Sequence, residues 1–94
     1  MKLRVEYTAQ LRAATGRTAE VVELPEHGSL AALLAQLAET GGEDTRRHLL
    51  GATGQIQSSL LVVVNGAAQA AHTAGALVLH DGDHIVLLPP IAGG

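Results

Sequence analysis

The residues best suited to chemistry stand at the end of the sequence, in the run Pro89-Pro90-Ile91-Ala92-Gly93-Gly94. Gly makes up 11 of 94 residues, so a closing pair of glycines arises from composition alone in roughly 1 % of such chains. A tail kept only for solubility is more often charged or Ser-rich than Ile-Ala-Gly-Gly. Two glycines remove both Cβ atoms, which lets the last residues thread a narrow channel and adopt φ values that other residues avoid. Pro89-Pro90 stiffens the start of the tail, and at about 3.1 Å per residue Pro89 to Gly94 reaches roughly 19 Å when extended. The group presented at that reach is the α-carboxylate of Gly94. With an ordinary pKa of about 3.3–3.7 it is ionised at neutral pH, and it is a poor electrophile until something activates it.

The other candidates are weaker. Asp81 and Asp83 are spaced closely enough for paired acid/base work, but flanking Gly82 they read as turn residues. His80 and His84 are four apart with that turn between them, so they do not share a helix face. Cys is absent, which excludes a disulfide framework, a thiolate metal site and a thiol nucleophile. Zinc would have to rest on His and carboxylates alone, and no metal site is expected. Arg46-Arg47 reads as a solvated loop pair, with contact to an acidic partner patch as the alternative.

Something must hold the tail, and the pattern of the chain supplies a body. Lys2 to Thr8 alternates apolar Leu3, Val5 and Tyr7 with polar neighbours, the period of a half-buried strand. Ala9 to Thr15 is a loop or short helical turn closed by Gly16. Thr18 to Leu24 returns as a strand ended by Pro25, which predicts an antiparallel hairpin. Ser29 is placed to cap a helix. Leu30, Leu33, Leu34 and Leu37 follow at i, i+3, i+4 and i+7, one apolar stripe, until Gly41-Gly42 stops it. Asp44 to Leu50 is a candidate short helix, and Gly51 to Ser58 reads as loop. Leu60 to Val64 is an unbroken apolar run ending in Asn65-Gly66, which predicts a central strand buried on both faces and a tight turn. Ala67 to Ala76 has no clear period, and Leu77 to Leu79 is a short strand or turn. Asp81-Gly82-Asp83 marks a reversal, and His84 to Leu88 is the last strand. The expected architecture is α+β, a mixed sheet of four to five strands with one main helix on one face. Leu61, Val63, Leu87 and Ile91 are candidates for an exposed docking patch. Core is the expectation for the first three, with Ile91, beyond the two prolines, as the exception.

Composition narrows the function. A chain of 94 residues builds one core and little more, too small for a large catalytic cleft. The apolar content of 47 % is that of a globular domain. Tyr7 is the single aromatic, so stacking platforms for single-stranded nucleic acid cannot be built. A net charge of −3 and a pI near 5.9 argue against a phosphate-backbone binder. No apolar run approaches the roughly 20 residues of a membrane span, and no signal peptide opens the sequence. The expectation is a small cytoplasmic domain that binds neither nucleic acid nor membrane and acts through a partner.

The sequence resembles the ubiquitin-like sulfur carriers, closest to the small subunit of molybdopterin synthase. The resemblance is carried by Tyr7-Thr8-Ala9-Gln10-Leu11-Arg12 with Thr15-Gly16, by Glu23-Leu24-Pro25, and by Ser29-Leu30-Ala31-Ala32-Leu33-Leu34. It continues in Val62-Val63-Val64-Asn65-Gly66, Asp81-Gly82-Asp83 and Leu88-Pro89-Pro90-Ile91-Ala92-Gly93-Gly94. Two positions depart from the family pattern: Leu88 stands where an aromatic often precedes Pro-Pro, and Ala67 where a charged residue commonly follows Asn-Gly. The resemblance implies a β-grasp domain over residues 1–88 and a flexible tail over 89–94. It implies that Gly94 is adenylated by an E1-like adenylyltransferase using ATP and is converted to a thiocarboxylate with sulfur from a donor enzyme. Gly93, Ala92, Ile91, Pro90 and Pro89 would occupy a partner's channel. The sulfur would pass to an acceptor such as the molybdopterin synthase large subunit. No cofactor is expected on the chain itself, which would be a carrier rather than an enzyme. The length favours molybdopterin synthesis over the shorter thiamin-type carriers. Alternatives are a carrier for thiamin, cysteine or a sulfur-containing natural product, a non-covalent ubiquitin-like binding module, and a modifier forming isopeptide bonds through Gly94.

Overall fold

The alternation at the N-terminus is realised as β1 (Lys2–Tyr7), with Leu3, Val5 and Tyr7 buried and Lys2 and Arg4 exposed. This structure is a computed structural model, and it describes residues 1–89. After β1 come α1 (Ala9–Thr15), β2 (Ala19–Glu23), α2 (Leu30–Thr40) and α3 (Gly42–Leu49). The second half supplies β3 (Leu61–Val64), β4 (Ala67–Ala70) and β5 (His84–Leu88). The five strands form one sheet in the order β2-β1-β5-β3-β4. The β1–β5 pair is parallel, and the β1–β2, β3–β4 and β3–β5 pairs are antiparallel. This is the β-grasp architecture that the resemblance implies, a mixed five-stranded sheet with the main helix α2 and two shorter helices, α1 and α3.

The main helix forms as its residues dictate. The Ser29 hydroxyl accepts from the Ala32 N–H at 3.1 Å, satisfying one orphan donor of the first turn. Leu30, Leu33, Leu34 and Leu37 are then buried in one cluster with Leu3 and Val5 of β1, Val62 of β3 and Ile85 and Leu87 of β5, each of the four at most 4 % exposed. Burying each contributes about 1.5–3 kcal/mol against leaving it in water. At the other end the Gly41 N–H donates to the Leu37 carbonyl, and Gly42 takes φ +86°, a turn that only a residue without Cβ adopts freely. The chain re-enters a helix at once, so Arg46 and Arg47 lie on α3 rather than in a loop. Arg47 pairs there with Asp44, one turn back.

Two further readings need correction. β3 is not central, because β5 holds the middle of the sheet and β3 lies between it and the edge strand β4. Nor is β3 buried on both faces: Val62 is buried, whereas Leu61 is 49 % exposed. The helices cover one side of the sheet only, so a strand with apolar residues at every position must leave half of them on the open side. Asn65-Gly66 does make the tight turn, with φ +49° and +88°. It leads into β4, a strand that the Ala-rich stretch concealed.

Candidate functional site

The tail is rooted in β5, and the sheet grips that strand along both edges and at both ends. Val5 faces Ile85 and Tyr7 faces Leu87 on one side, while Val64 faces Ile85 and Leu61 faces Leu88 on the other. At its start, Asp83 links three segments. Its carboxylate accepts from the Asn65 side-chain amide and the His80 N–H, both at 2.8 Å, and its carbonyl accepts from the Arg4 N–H at 3.0 Å. Asn65 Oδ1 in turn accepts from the His84 N–H at 2.9 Å. Asp81 accepts from the Lys2 N–H at 2.7 Å. The two aspartates are therefore turn anchors with their oxygens engaged by donors, as their position around Gly82 predicts. At the far end of β5, the Thr8 hydroxyl donates to the Leu87 carbonyl at 2.9 Å. Pro89, the next residue but one, is buried. Pro90, Ile91, Ala92, Gly93 and Gly94, the remaining predicted tail residues, lie outside the described residues.

The face beside this root is divided. Strand register places Leu61, Val63, Val86 and Leu88 together on the open side of β3 and β5, with Ala68 and Ala70 of β4 beyond them. On the other half stand Lys2, Arg4 and Glu6 of β1, with Glu23 of β2 and His84 of β5. Glu6 Oε1 lies 3.0 Å from His84 Nε2 and 3.7 Å from Arg4 Nε. An apolar patch thus lies next to a charged strip on the open side of the sheet, and the strand that leads into Pro89 runs through both. Leu61 and Val63 belong to that patch rather than to the core. Leu87 is fully buried, so Val86 and Leu88 take its place. The signal for them was the period of two along β5, which sends the neighbours of a core residue to the opposite face.

Among the described residues no cluster of three or more His, Asp or Glu side chains could hold a metal ion. The Tyr7 phenol donates to Glu20. Burial and that carboxylate push its pKa well above the usual tyrosine value, so it stays protonated. Thr45 lies nearby, 1 % exposed, with a hydroxyl that has no hydrogen-bond partner among the described residues. Both line a cavity of about 230 Å³ between the β1–β2 hairpin and the α2–α3 junction, a feature with no sequence signature of its own. None of the described helices is long and apolar enough to cross a membrane.

The ThiS family model matches residues 5–94, which takes in the root, the tail and nearly all of the body. No curated protein matches the chain by sequence. Among solved structures, SAMP1 of Haloferax volcanii superposes with a TM-score of 0.84 at 22 % identity, over 100 % of both chains. Urm1 of Trypanosoma brucei gives 0.76 at 21 % identity, over 99 % of this chain and 95 % of its own. One chain of the complex of subunits 1 and 2 of the molybdopterin-converting factor from Helicobacter pylori gives 0.64 at 22 %, over 100 % of both.

Proposed function

The chain belongs to the ThiS family, and from that premise we propose that it is a sulfur carrier whose working group is the Gly94 carboxyl. The observation that carries this reading is the family match running through residue 94, on a body that holds the strand leading into that segment. An E1-like adenylyltransferase activates the carboxylate: one carboxyl oxygen attacks the α-phosphate of ATP, and pyrophosphate leaves. Sulfur at the sulfide level, delivered by a donor enzyme, then attacks the acyl carbon, and AMP departs with that oxygen. The thiocarboxylate product is a better nucleophile than the carboxylate it replaces, and an acceptor enzyme takes its sulfur. The catalytic groups for each step belong to the partners. This chain contributes recognition and reach. The acceptor in this reading is a molybdopterin synthase large subunit, in line with the fold shared with a chain of the two-subunit converting factor.

Intact-mass measurement tests the proposal. After incubation with ATP, a sulfur donor and the E1-like enzyme, the chain should gain about 16 Da, the replacement of one carboxyl oxygen by sulfur. An unchanged mass, with no ATP–pyrophosphate exchange, would sink it. The likeness to a small archaeal modifier protein supports a second reading, in which the activated Gly94 acylates a lysine amine. That outcome would be seen as a conjugate that resists thiol reductants, with loss of water from the summed masses.

The apolar half of the open face is the docking surface in either reading. Leu61→Asp places a charge where Leu61, Val63, Val86 and Leu88 would be desolvated against the activating enzyme. Its Michaelis constant for this chain should rise by about tenfold or more. The fold should be little affected, since residue 61 is half exposed. An unchanged constant would move the docking surface elsewhere.

A further inference from the structure

We propose that β2 is a self-pairing edge, through which two copies of this chain join their sheets about a two-fold axis at Val21. The ladder between β1 and β2 sets the direction of every backbone group on the edge strand. The Tyr7 N–H donates to the Thr18 carbonyl, and the Leu24 N–H donates to the Met1 carbonyl. In this antiparallel register the hydrogen-bonded positions of β2 are therefore Glu20 and Val22, opposite Val5 and Leu3. Ala19, Val21 and Glu23 direct their N–H and C=O groups outward. Among the described residues only the Glu23 carbonyl of this set has a partner, the Gln36 side-chain amide at 2.9 Å.

Edge strands are ordinarily protected by proline, a bulge or charged side chains. β2 has no proline or bulge over Ala19–Glu23, its register with β1 is unbroken across five pairs, and its charges are Glu20 and Glu23 alone. Its one charge on the helix side, Glu20, is engaged by Tyr7 and Arg17. The opposite edge is less available: on β4 the Ala70 carbonyl already accepts from the Thr73 and Ala74 N–H groups.

A second copy fits this edge because the edge is complementary to itself. An antiparallel partner centred on Val21 sets Val21 against Val21 and Ala19 against Glu23. That gives two hydrogen bonds at the axis and two at each flanking pair. The Glu23 carbonyl keeps a second lone pair for the incoming Ala19 N–H while Gln36 holds the first. Val21 is the most exposed large apolar side chain among the described residues, at 63 %, and the axis covers it with its own copy. The strand also carries opposite charge at its two ends. Arg17 precedes it and Glu23 closes it, so antiparallel pairing brings each Arg17 diagonally beside the Glu23 of the other copy; in the dimer Arg17 exchanges Glu20, its partner within the single chain, for that carboxylate, and Glu20 keeps the Tyr7 phenol. Moving the axis one residue toward the N-terminus would set Glu20 against Glu20, a like-charge pair on the dyad, and moving it the other way would set Ala19 against Pro25, which has no N–H to donate. Charge and proline together choose the register. β1 separates β2 from β5, so the docking face and the root of the tail stay open in the dimer.

Sedimentation equilibrium of the full chain, from micromolar to millimolar concentration, should show conversion from 9.6 kDa to twice that mass. Val21→Lys puts two ammonium groups on the axis and should raise the dissociation constant at least about tenfold. Arg17→Glu and Glu23→Arg should each weaken the dimer, and the double exchange should return it to within about threefold of the parent. Amide hydrogen exchange gives a readout that mere folding would not move. Protection of the Ala19, Val21 and Glu23 amides should rise with concentration, while that of Glu20 and Val22 stays level. A chain that remains monomeric at millimolar concentration overturns the proposal. So does a dimer that Val21→Lys leaves intact, or one whose Val21 amide exchanges at the same rate at all concentrations.

Discussion

Deletion of Gly94 should lower the rate of adenylation and of thiocarboxylate formation by more than about a hundredfold, since a carboxyl carbon displaced by one residue misses its attack geometry. The carboxylate that remains, on Gly93, is chemically the same group. Only its position has changed, by roughly 3 Å. ATP–pyrophosphate exchange with the E1-like enzyme and the mass of the product are the measurements. The melting midpoint is the control. The buried cluster is built from residues up to Leu87, so the shortened chain should melt within a few degrees of the parent, the range of a change outside the core. Full activity in the shortened chain would remove Gly94 from the mechanism. A large loss of stability would instead make the segment part of the fold.

The second large effect falls on the root of the tail. Leu87→Ala should destabilise the domain by about 2–5 kcal/mol, the loss of transfer energy together with a cavity that the surroundings only partly fill. At about 4–8 °C per kcal/mol for a domain of this size, the melting midpoint should drop by about 8 °C or more. Leu87 is fully buried on the middle strand, between the sheet and the stripe of α2. Neither neighbour can move to close the hole without breaking register with β1 or β3. Leu88→Ala is the matched comparison. It removes the same atoms from the open side of the same strand and should cost less than about 1 kcal/mol. Calorimetry on the two variants tests the assignment of faces, which equal midpoints would contradict.

Much of this could be read from the residues, and the failures have physical reasons. β1 was legible because polar and apolar residues alternate there. α2 was legible because four leucines keep helical spacing behind a serine that caps as expected. Asn65-Gly66 announced its turn because few other pairs tolerate left-handed φ twice in succession. β4 was not legible: Ala-Ala-Gln-Ala has neither the β-branched side chains nor the contrast in polarity that marks a strand. Its pairing is imposed by the turn and by β3. Leu61 and Val63 misled for a different reason. Five apolar residues in a row ordinarily mean burial on both faces, and here the uncovered half faces outward. The proposed reactive group at Gly94 rests on its motif, since it and its four predecessors lie outside the described residues.

The place of β5 has a consequence for how the domain is made. It is the last strand in chain order and the middle strand in space. Val5 meets Ile85 across eighty positions of sequence, and Val64 meets it from the other side. Contacts of that separation close late, because the loop entropy is lost before they form. On a ribosome the first half of the chain can gather α2 and the β1–β2 hairpin, but neither side of the gap between β1 and β3 is satisfied until residue 88 has emerged. The apolar face proposed for docking shares this timing, since Val86 and Leu88 are half of it. Under that proposal a partner that reads the face would ignore nascent chains and engage only molecules already synthesised to the threshold of the tail.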